Sequence, residues 1–443
     1  MGTRRVHWLF RFYFFSSVWG FFGILPQSVH AYLISPFFEG SGGKVQAEEQ
    51  GPDTHSSVLN TLDSHDLSIS DSQLERILSD PERRVEDAFR GNEGLNSHIL
   101  FWLKIYCKYT MRQIVIYDGN NPDHILTVVD NSALYKLGLS PIEFEIKSKR
   151  AVSLTLKRYR MAISNLAGFP KKEFQSGSIE QALHQKFGTI SSKAWRSLAS
   201  KLRAQTGQKD RVVFAIRESE PFMAPMQNIF RQAGLSPALV YISLLESSFV
   251  IRARSKADAL GVWQFLEASA KTLMVINPRI GLDERLSPIK ASWAAAKMLR
   301  WNIKILGNTA LGIISYNHGI GSLLRMQKKH GFMKLDKLLD PNNPKSPLGY
   351  ASRNYYYEFL AMVYANAYSD LIYGIQPSRH NIQVEIVKTG TRTTFFDLAS
   401  TYNVDFADLR RFNPDLFGIT GYLPKGVRVV IPSASYSTTT VSL

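Results

Sequence analysis

The sequence predicts a mainly α-helical protein that closes with a small β-α-α-β unit, and three observations carry that expectation. Helix-start signals recur in the second half at Ser236-Pro237 and Ser287-Pro288, where a serine side chain caps free backbone N–H groups and proline suits the first helical position. Apolar residues after each start return at three- and four-residue spacings, the period of one helix face. Beyond Pro377 the pattern changes to strand, helix, helix and strand over residues 384–388, 395–402, 406–412 and 428–431, which defines the closing unit.

Taken from the amino terminus, residues 1–31 combine Arg4, Arg5 and Arg11 with an apolar run from Phe12 to Leu25 and end in Val29-His30-Ala31. This is the layout of a secretory signal peptide cleaved near Ala31. An uncleaved membrane anchor is the alternative, and Pro26 and Gln27 interrupt the run before the roughly 20 residues a span requires. Residues 32–94 are rich in Ser, Asp, Glu and Gly and are expected to form an acidic disordered linker, with a short helix over 71–78. Residues 95–215 are expected to be a mostly helical amino-terminal region of unknown role. It includes helices over 141–166 and 179–187, the latter capped by Ser178 and Gln181, and a pair of strands over 113–129 around Asp118-Gly119. An all-helical domain over 216–376 follows, with helices from Ser236 to about Ser248, from Ser287 to about Leu306, over 311–316 and over 354–371. The β-α-α-β unit occupies 380–433, and 434–443 form a tail.

With 443 residues, 44% of them hydrophobic and 20% charged, the chain is too apolar to be wholly disordered and long enough for two or three domains. Its net charge of +16 is unevenly placed, because residues 47–93 hold twelve acids and only four bases. The body behind that leader is strongly cationic. For an exported chain, a basic body is expected to meet wall-peptide carboxylates or a membrane surface, and a solvated basic face with no specific partner fits equally; no nucleic-acid motif is present. The one cysteine, Cys107, lies among Phe101, Trp102, Leu103, Ile105 and Tyr106 and is expected to be a buried, inert thiol.

Glu246 is the most informative residue. It shares a helical stripe with Leu239, Ile242 and Phe249, so a carboxyl group is held on an apolar face. Burial raises a carboxyl pKa, which is what a general acid needs to carry its proton near neutral pH. A rim residue at a helix end is the other reading of the same pattern. Rival chemistries find no support: the sequence has no His-x-x-x-His pair for zinc, no Gly-x-Ser-x-Gly elbow and no phosphate-binding loop. Neither a metal nor a cofactor is expected.

The stretch from Gly234 to Phe249, with Glu246-Ser247, resembles the Glu-Ser motif of the lysozyme-like lytic transglycosylases, particularly the D type. Gly261-Val262-Trp263-Gln264-Phe265 is similar to the family's second motif, and Ser315-Tyr316-Asn317-His318-Gly319 to its third, with Ser315 where Ala is usual. Arg353-Asn354-Tyr355 is similar to the start of the family's last helix. The resemblance covers Arg217 to about Leu371 and implies a lysozyme-like fold that cleaves the β-1,4 bond between N-acetylmuramic acid and N-acetylglucosamine in peptidoglycan. It implies Glu246 as the single catalytic acid, whose carboxylate then takes the C6 hydroxyl proton and closes a 1,6-anhydro ring. It also implies that Ser247 positions Glu246 or a substrate group, Gln264 hydrogen-bonds sugar, and Tyr316 orients the carboxyl or stabilises the cationic ring. Asn317 would fix its loop and Tyr355 form the cleft floor. On pattern alone, Ser247 as a helix-end residue and Tyr316 as core filler fit as well. A peptidoglycan-binding scaffold without activity is one alternative function. A hydrolytic muramidase is another, and its second carboxylate would be sought among Asp258, Glu267 and Asp283.

The closing unit resembles a LysM module through Phe396-Asp397-Leu398-Ala399, Tyr402-Asn403-Val404, Leu409 to Pro414 and Leu423 to Pro432. This implies binding to N-acetylglucosamine-containing glycan strands, and a purely structural cap is the alternative. The whole is expected to be an exported protein of the periplasm or cell envelope.

Overall fold

The computed structural model describes residues 68–168, 174–341, 343–376, 381–419 and 421–435. The expected signal peptide and most of the expected linker lie outside these residues, as do positions 436–443 of the tail. The architecture is mainly α. Among the described residues no helix is long and apolar enough to cross a membrane.

The first element corrects the expected extent of the disordered linker. Helix α1 (Asp71–Leu78) starts on a capping box between Ser70 and Gln73. Leu74, Ile77, Val85 and Phe89 are buried in the main core. Acidic side chains fasten the segment: the hydroxyl of Tyr368 donates to Asp80 Oδ1 at 2.7 Å, and Arg84 pairs with Asp370 at 2.6 Å. A composition rich in Ser and Asp reads as solvated, yet four apolar side chains suffice to bury the stretch once the charges find fixed partners.

Helix α2 (Glu93–Cys107) is expected at the head of the amino-terminal region but packs into the main core, where the indole N–H of Trp102 donates to Asn354 at 3.0 Å. Cys107 is buried as expected. Strands β1 (Gln113–Asp118) and β2 (Ile125–Asp130) form the expected antiparallel pair. Helices α3 (Pro141–Gly168), α4 (Ile179–Phe187) and α5 (Ser192–Lys201) follow. A third strand absent from the sequence reading, β3 (Leu202–Thr206), then joins the free edge of β1 to give the order β2-β1-β3. Successive side chains of β1 face opposite ways: Val115 and Tyr117 enter the main core, while Ile116 joins Leu156, Ile163, Trp195 and Leu198 under α3 and α5. The sheet is thus a wall between two cores.

The expected boundary at 215/216 falls inside one helix, α6 (Lys209–Gln232), which contains Pro221 and Pro225. Prolines this deep usually break a helix. Here Val212, Val213, Phe222, Met226, Ile229 and Phe230 bury one face and hold it together. A 3-10 turn (Pro237–Tyr241) leads into α7 (Ile242–Ser247), so the expected single helix is two pieces. Helix α8 (Pro288–Leu306) starts on Ser287 as expected, followed by α9 (Thr309–His318), α10 (Ile320–His330) and α11 (Tyr350–Ala367). Helix α11 is buried along most of its length, which fits its central place.

The closing unit contains the four expected elements, β4 (Asn381–Lys388), α12 (Phe395–Tyr402), α13 (Phe406–Phe412) and β5 (Arg428–Ser435), with β4 and β5 antiparallel, and adds two short strands absent from the sequence reading, Thr393–Thr394 and Tyr422–Leu423, paired with each other. It is docked on the helical body. Lys290 and Asp415, both fully buried, pair at 2.6 Å across the seam, and Lys290 also donates to the Arg428 carbonyl at 2.7 Å. Arg428 in turn pairs with Glu284. Phe412 packs against Phe222 with the rings tilted and their centroids 4.7 Å apart. Gly281 and Gly418 meet so closely that a Cβ on Gly418 would lie 2.6 Å from the Gly281 Cα.

Candidate active site

Glu246 sits on α7, and Leu239 in the 3-10 turn before it, Ile242 on it and Phe249 just past it are all buried. The chain turns sharply straight after it: Ser248 and Phe249 both adopt left-handed backbone, with φ of 51° and 58°. Each such residue costs about 1–3 kcal/mol unless its surroundings enforce it. Phe249 is locked by burial beside Phe222, with ring centroids 5.7 Å apart. The side chain of Ser247 is fully buried and donates to the carbonyls of Ser243 and Val262, each at 3.1 Å. It pins the Glu246 helix to the segment bearing Gln264.

The carboxyl of Glu246 accepts a hydrogen bond on Oε1 from the Tyr355 hydroxyl at 2.6 Å. Burial pushes its pKa up to about 7, with the Tyr355 hydrogen bond pulling the other way. A group with that pKa is divided between acid and carboxylate at neutral pH. The resemblance implies that Tyr316 orients the carboxyl or stabilises the cationic ring and that Tyr355 forms the cleft floor. Tyr355 is the tyrosine bonded to the carboxyl, while Tyr316 donates to the Trp263 carbonyl at 2.7 Å and so ties α9 to the Gln264 segment. Its phenol is pushed well above the ordinary range by burial and then by the charge of Glu246.

Gln264 occupies a turn that only glycine at 261 allows, since Gly261 has φ of 81° and a Cβ there would meet the Arg285 carbonyl oxygen at 1.9 Å. Its Nε2 donates to the carbonyls of Ala253 at 3.0 Å and Gly261 at 2.9 Å. Reversing the amide would set oxygen against two oxygens, so the network assigns the orientation. Oε1 is left buried with no partner among the described residues, a state that costs about 1–3 kcal/mol until a donor arrives. Trp263 beneath it is fully buried, stacked on Phe230 at 5.6 Å and bonded to Ser292. Asn317 is exposed and accepts from Ser352 at 3.2 Å, fixing the end of α9 to α11. Ser315, in place of the usual Ala, donates to Gly312 and accepts from Asn302, so its hydroxyl is satisfied in the core.

Sequence reasoning missed Glu358. It lies three residues past Tyr355 on α11, and burial, then the charge of Glu246, push its pKa up to about 8. It lines a cavity of about 20 Å³ with Leu244, Leu245 and Ser248 from the Glu246 segment. The i, i+3 spacing is visible in sequence. Which helix that face meets is not. The other acids near the motifs are committed elsewhere: Asp258 to Arg254 at 2.5 Å, Glu267 to Lys271 at 2.5 Å and Asp283 to Arg285 at 2.7 Å. A larger cavity of about 440 Å³, between Trp293 and residues 383–386 of β4, contains none of the site residues.

Residues 226–339 match the family described as Transglycosylase SLT domain. Over 111 residues the chain is 27% identical to the membrane-bound lytic murein transglycosylase D of Escherichia coli strain K12, and equally to that of Escherichia coli O6:H1. That alignment covers 25% of this chain and 24% of each relative, so the chain spans about a quarter of the length of the curated relatives it matches. The family match contains Glu246, Ser247, Gln264, Tyr316 and Asn317 and stops before Tyr355 and Glu358.

Proposed function

We propose that the chain is an exported peptidoglycan lytic transglycosylase, similar to the D type, that works in the cell envelope with Glu246 as its single catalytic acid. The observation that carries this reading is the half-buried Glu246 carboxyl, held near pKa 7 and bonded to Tyr355, inside the segment that matches the transglycosylase family. Protonated Glu246 gives its proton to the glycosidic oxygen. The carboxylate it becomes is stabilised by the Tyr355 hydroxyl and takes the proton of the muramic acid C6 hydroxyl, which closes on the cationic carbon. The open Oε1 of Gln264 suits a sugar hydroxyl or acetamido N–H. Ordinary glycosidases need a second carboxylate. Asp258, Glu267 and Asp283 each pair with a cation, and burial raises the Glu358 pKa to about 8, which fits a reading with one catalytic carboxyl.

Intramolecular attack gains from proximity, an advantage of up to about 7–11 kcal/mol in well-oriented cases. Released strands should therefore end in 1,6-anhydro-N-acetylmuramic acid, about 18 mass units lighter than a hydrolysed end. Mass spectrometry of muropeptides from purified sacculi in isotopically labelled water tests this; heavy oxygen at the new ends would make the enzyme a muramidase. In the same reading the docked β-α-α-β unit is a LysM-like module for N-acetylglucosamine-containing glycan, and residues 1–31 direct export.

A further inference from the structure

Helix α3 is the outer layer of the amino-terminal region. Its inner face, through Leu156, Ala162, Ile163 and Leu166, is buried with Trp195 and Leu198 against the outer side of the sheet. Among the described residues nothing covers the opposite face: Ile142, Ile146, Leu154 and Met161 are 52%, 61%, 54% and 59% exposed, and Leu137 just before them is 64% exposed. Lys147, Arg150, Lys157, Arg158 and Arg160 stand exposed among these side chains. The two acids of the helix are already engaged, Glu145 with Lys149 and Glu143 in capping Ser140. At 3.6 residues per turn, Ile142, Ile146, Arg150, Ser153, Leu154, Lys157 and Met161 fall within about 120° of arc on a helix about 42 Å long.

That composition fits neither water nor a protein partner. Four large aliphatic side chains in one stripe are costly to hydrate, and lysine among them is unlike the core of a protein interface, which is depleted in it. It fits the boundary of an anionic bilayer, where aliphatic side chains enter the acyl edge and long cationic stems keep their charge at the phosphates. We propose that α3 is a membrane-surface helix that lies flat on anionic phospholipid through Ile142, Ile146, Leu154 and Met161, with Lys147, Arg150, Lys157 and Arg158 on the lipid phosphates. This contact uses no residue before 68 and is independent of the chemistry at Glu246.

The experiment places a polarity-sensitive fluorophore on α3 in the full chain through Ser153→Cys, an exposed position inside the stripe. Cys107 does not compete, being buried with its thiol pushed up to about 12. A control chain carries the label at exposed Lys328→Cys on α10. Vesicles rich in phosphatidylglycerol should shift the α3 label to the blue and leave the α10 label unchanged; phosphatidylcholine vesicles should shift neither. Changing Lys147, Arg150, Lys157 and Arg158 to Gln should weaken the response by about two orders of magnitude, and raised salt should weaken it too. The proposal is overturned if the chain sediments with the anionic vesicles while the α3 label does not move, which would place binding elsewhere. It is also overturned if both lipids act equally. A blue shift without vesicles that grows with protein concentration would make the face a contact between copies of the chain and equally sink it.

Discussion

At Glu246 two demands oppose each other, because the burial that keeps a proton on the acid also costs the fold stability. Its folded pKa of about 7 exceeds the ordinary 4.5. Between those values the folded chain retains a proton that the unfolded chain has released, so this group's contribution to stability is full below about 4.5 and is lost as pH rises through about 7. Glu246→Gln should therefore abolish strand release, lowering the rate by about two to four orders of magnitude. The same variant should melt at a higher temperature than the parent above pH 7 and alike at low pH. A variant that melts lower at every pH would instead mark Glu246 as structural. Tyr355→Phe tests the neighbour. Loss of its hydrogen bond removes the influence that lowers the Glu246 pKa, so the descending limb of the pH–rate profile should move to higher pH while kcat falls. A lower kcat with an unmoved limb would leave Tyr355 as packing alone.

At the scale of elements, the helix starts at Ser178, Ser236 and Ser287 and the whole β-α-α-β order were legible because caps, prolines and periodicity act within a few residues. Other features depend on partners distant in sequence. Strand β3 is defined only by its pairing with β1, ninety residues earlier in the order Ile114↔Thr206 to Asp118↔Leu202. The partners of the Tyr316 and Tyr355 hydroxyls were hidden for the same reason, since a motif names a tyrosine without saying what its hydroxyl meets. Helix α6 was obscured by Pro221 and Pro225, whose local cost is outweighed by the buried face. The seam behind α8 was likewise hidden, because nothing in the sequence near Lys290 announces Asp415. Removing one member of a fully buried ion pair leaves the other charge uncompensated, at a cost of about 3–5 kcal/mol. Lys290→Ala should lower the melting temperature accordingly, and Lys290→Met with Asp415→Leu should recover much of the loss in the same thermal scan.

Across the whole molecule, the domains expected from sequence are fastened to one another. The segment with α1 is latched by Asp80 and Arg84 to the end of the helical body, the sheet is shared between two cores, and the β-α-α-β unit is docked through Lys290, Arg428 and Phe412. A binder on a slack tether would raise the local concentration of wall around the acid at any spacing its linker can span. The docking of Gly418 against Gly281 leaves no such slack. If the closing unit grips a glycan strand as proposed, it would present to Glu246 only the bond that lies at one set distance along that strand, and the seam would act as a gauge of strand register. Gly418→Ala drives a methyl group to 2.6 Å from the Gly281 Cα without altering either binding surface. Its effect should be a broader spread of fragment lengths in chromatography of the released strands, whereas an unchanged spread would mean that the two parts never hold one strand together.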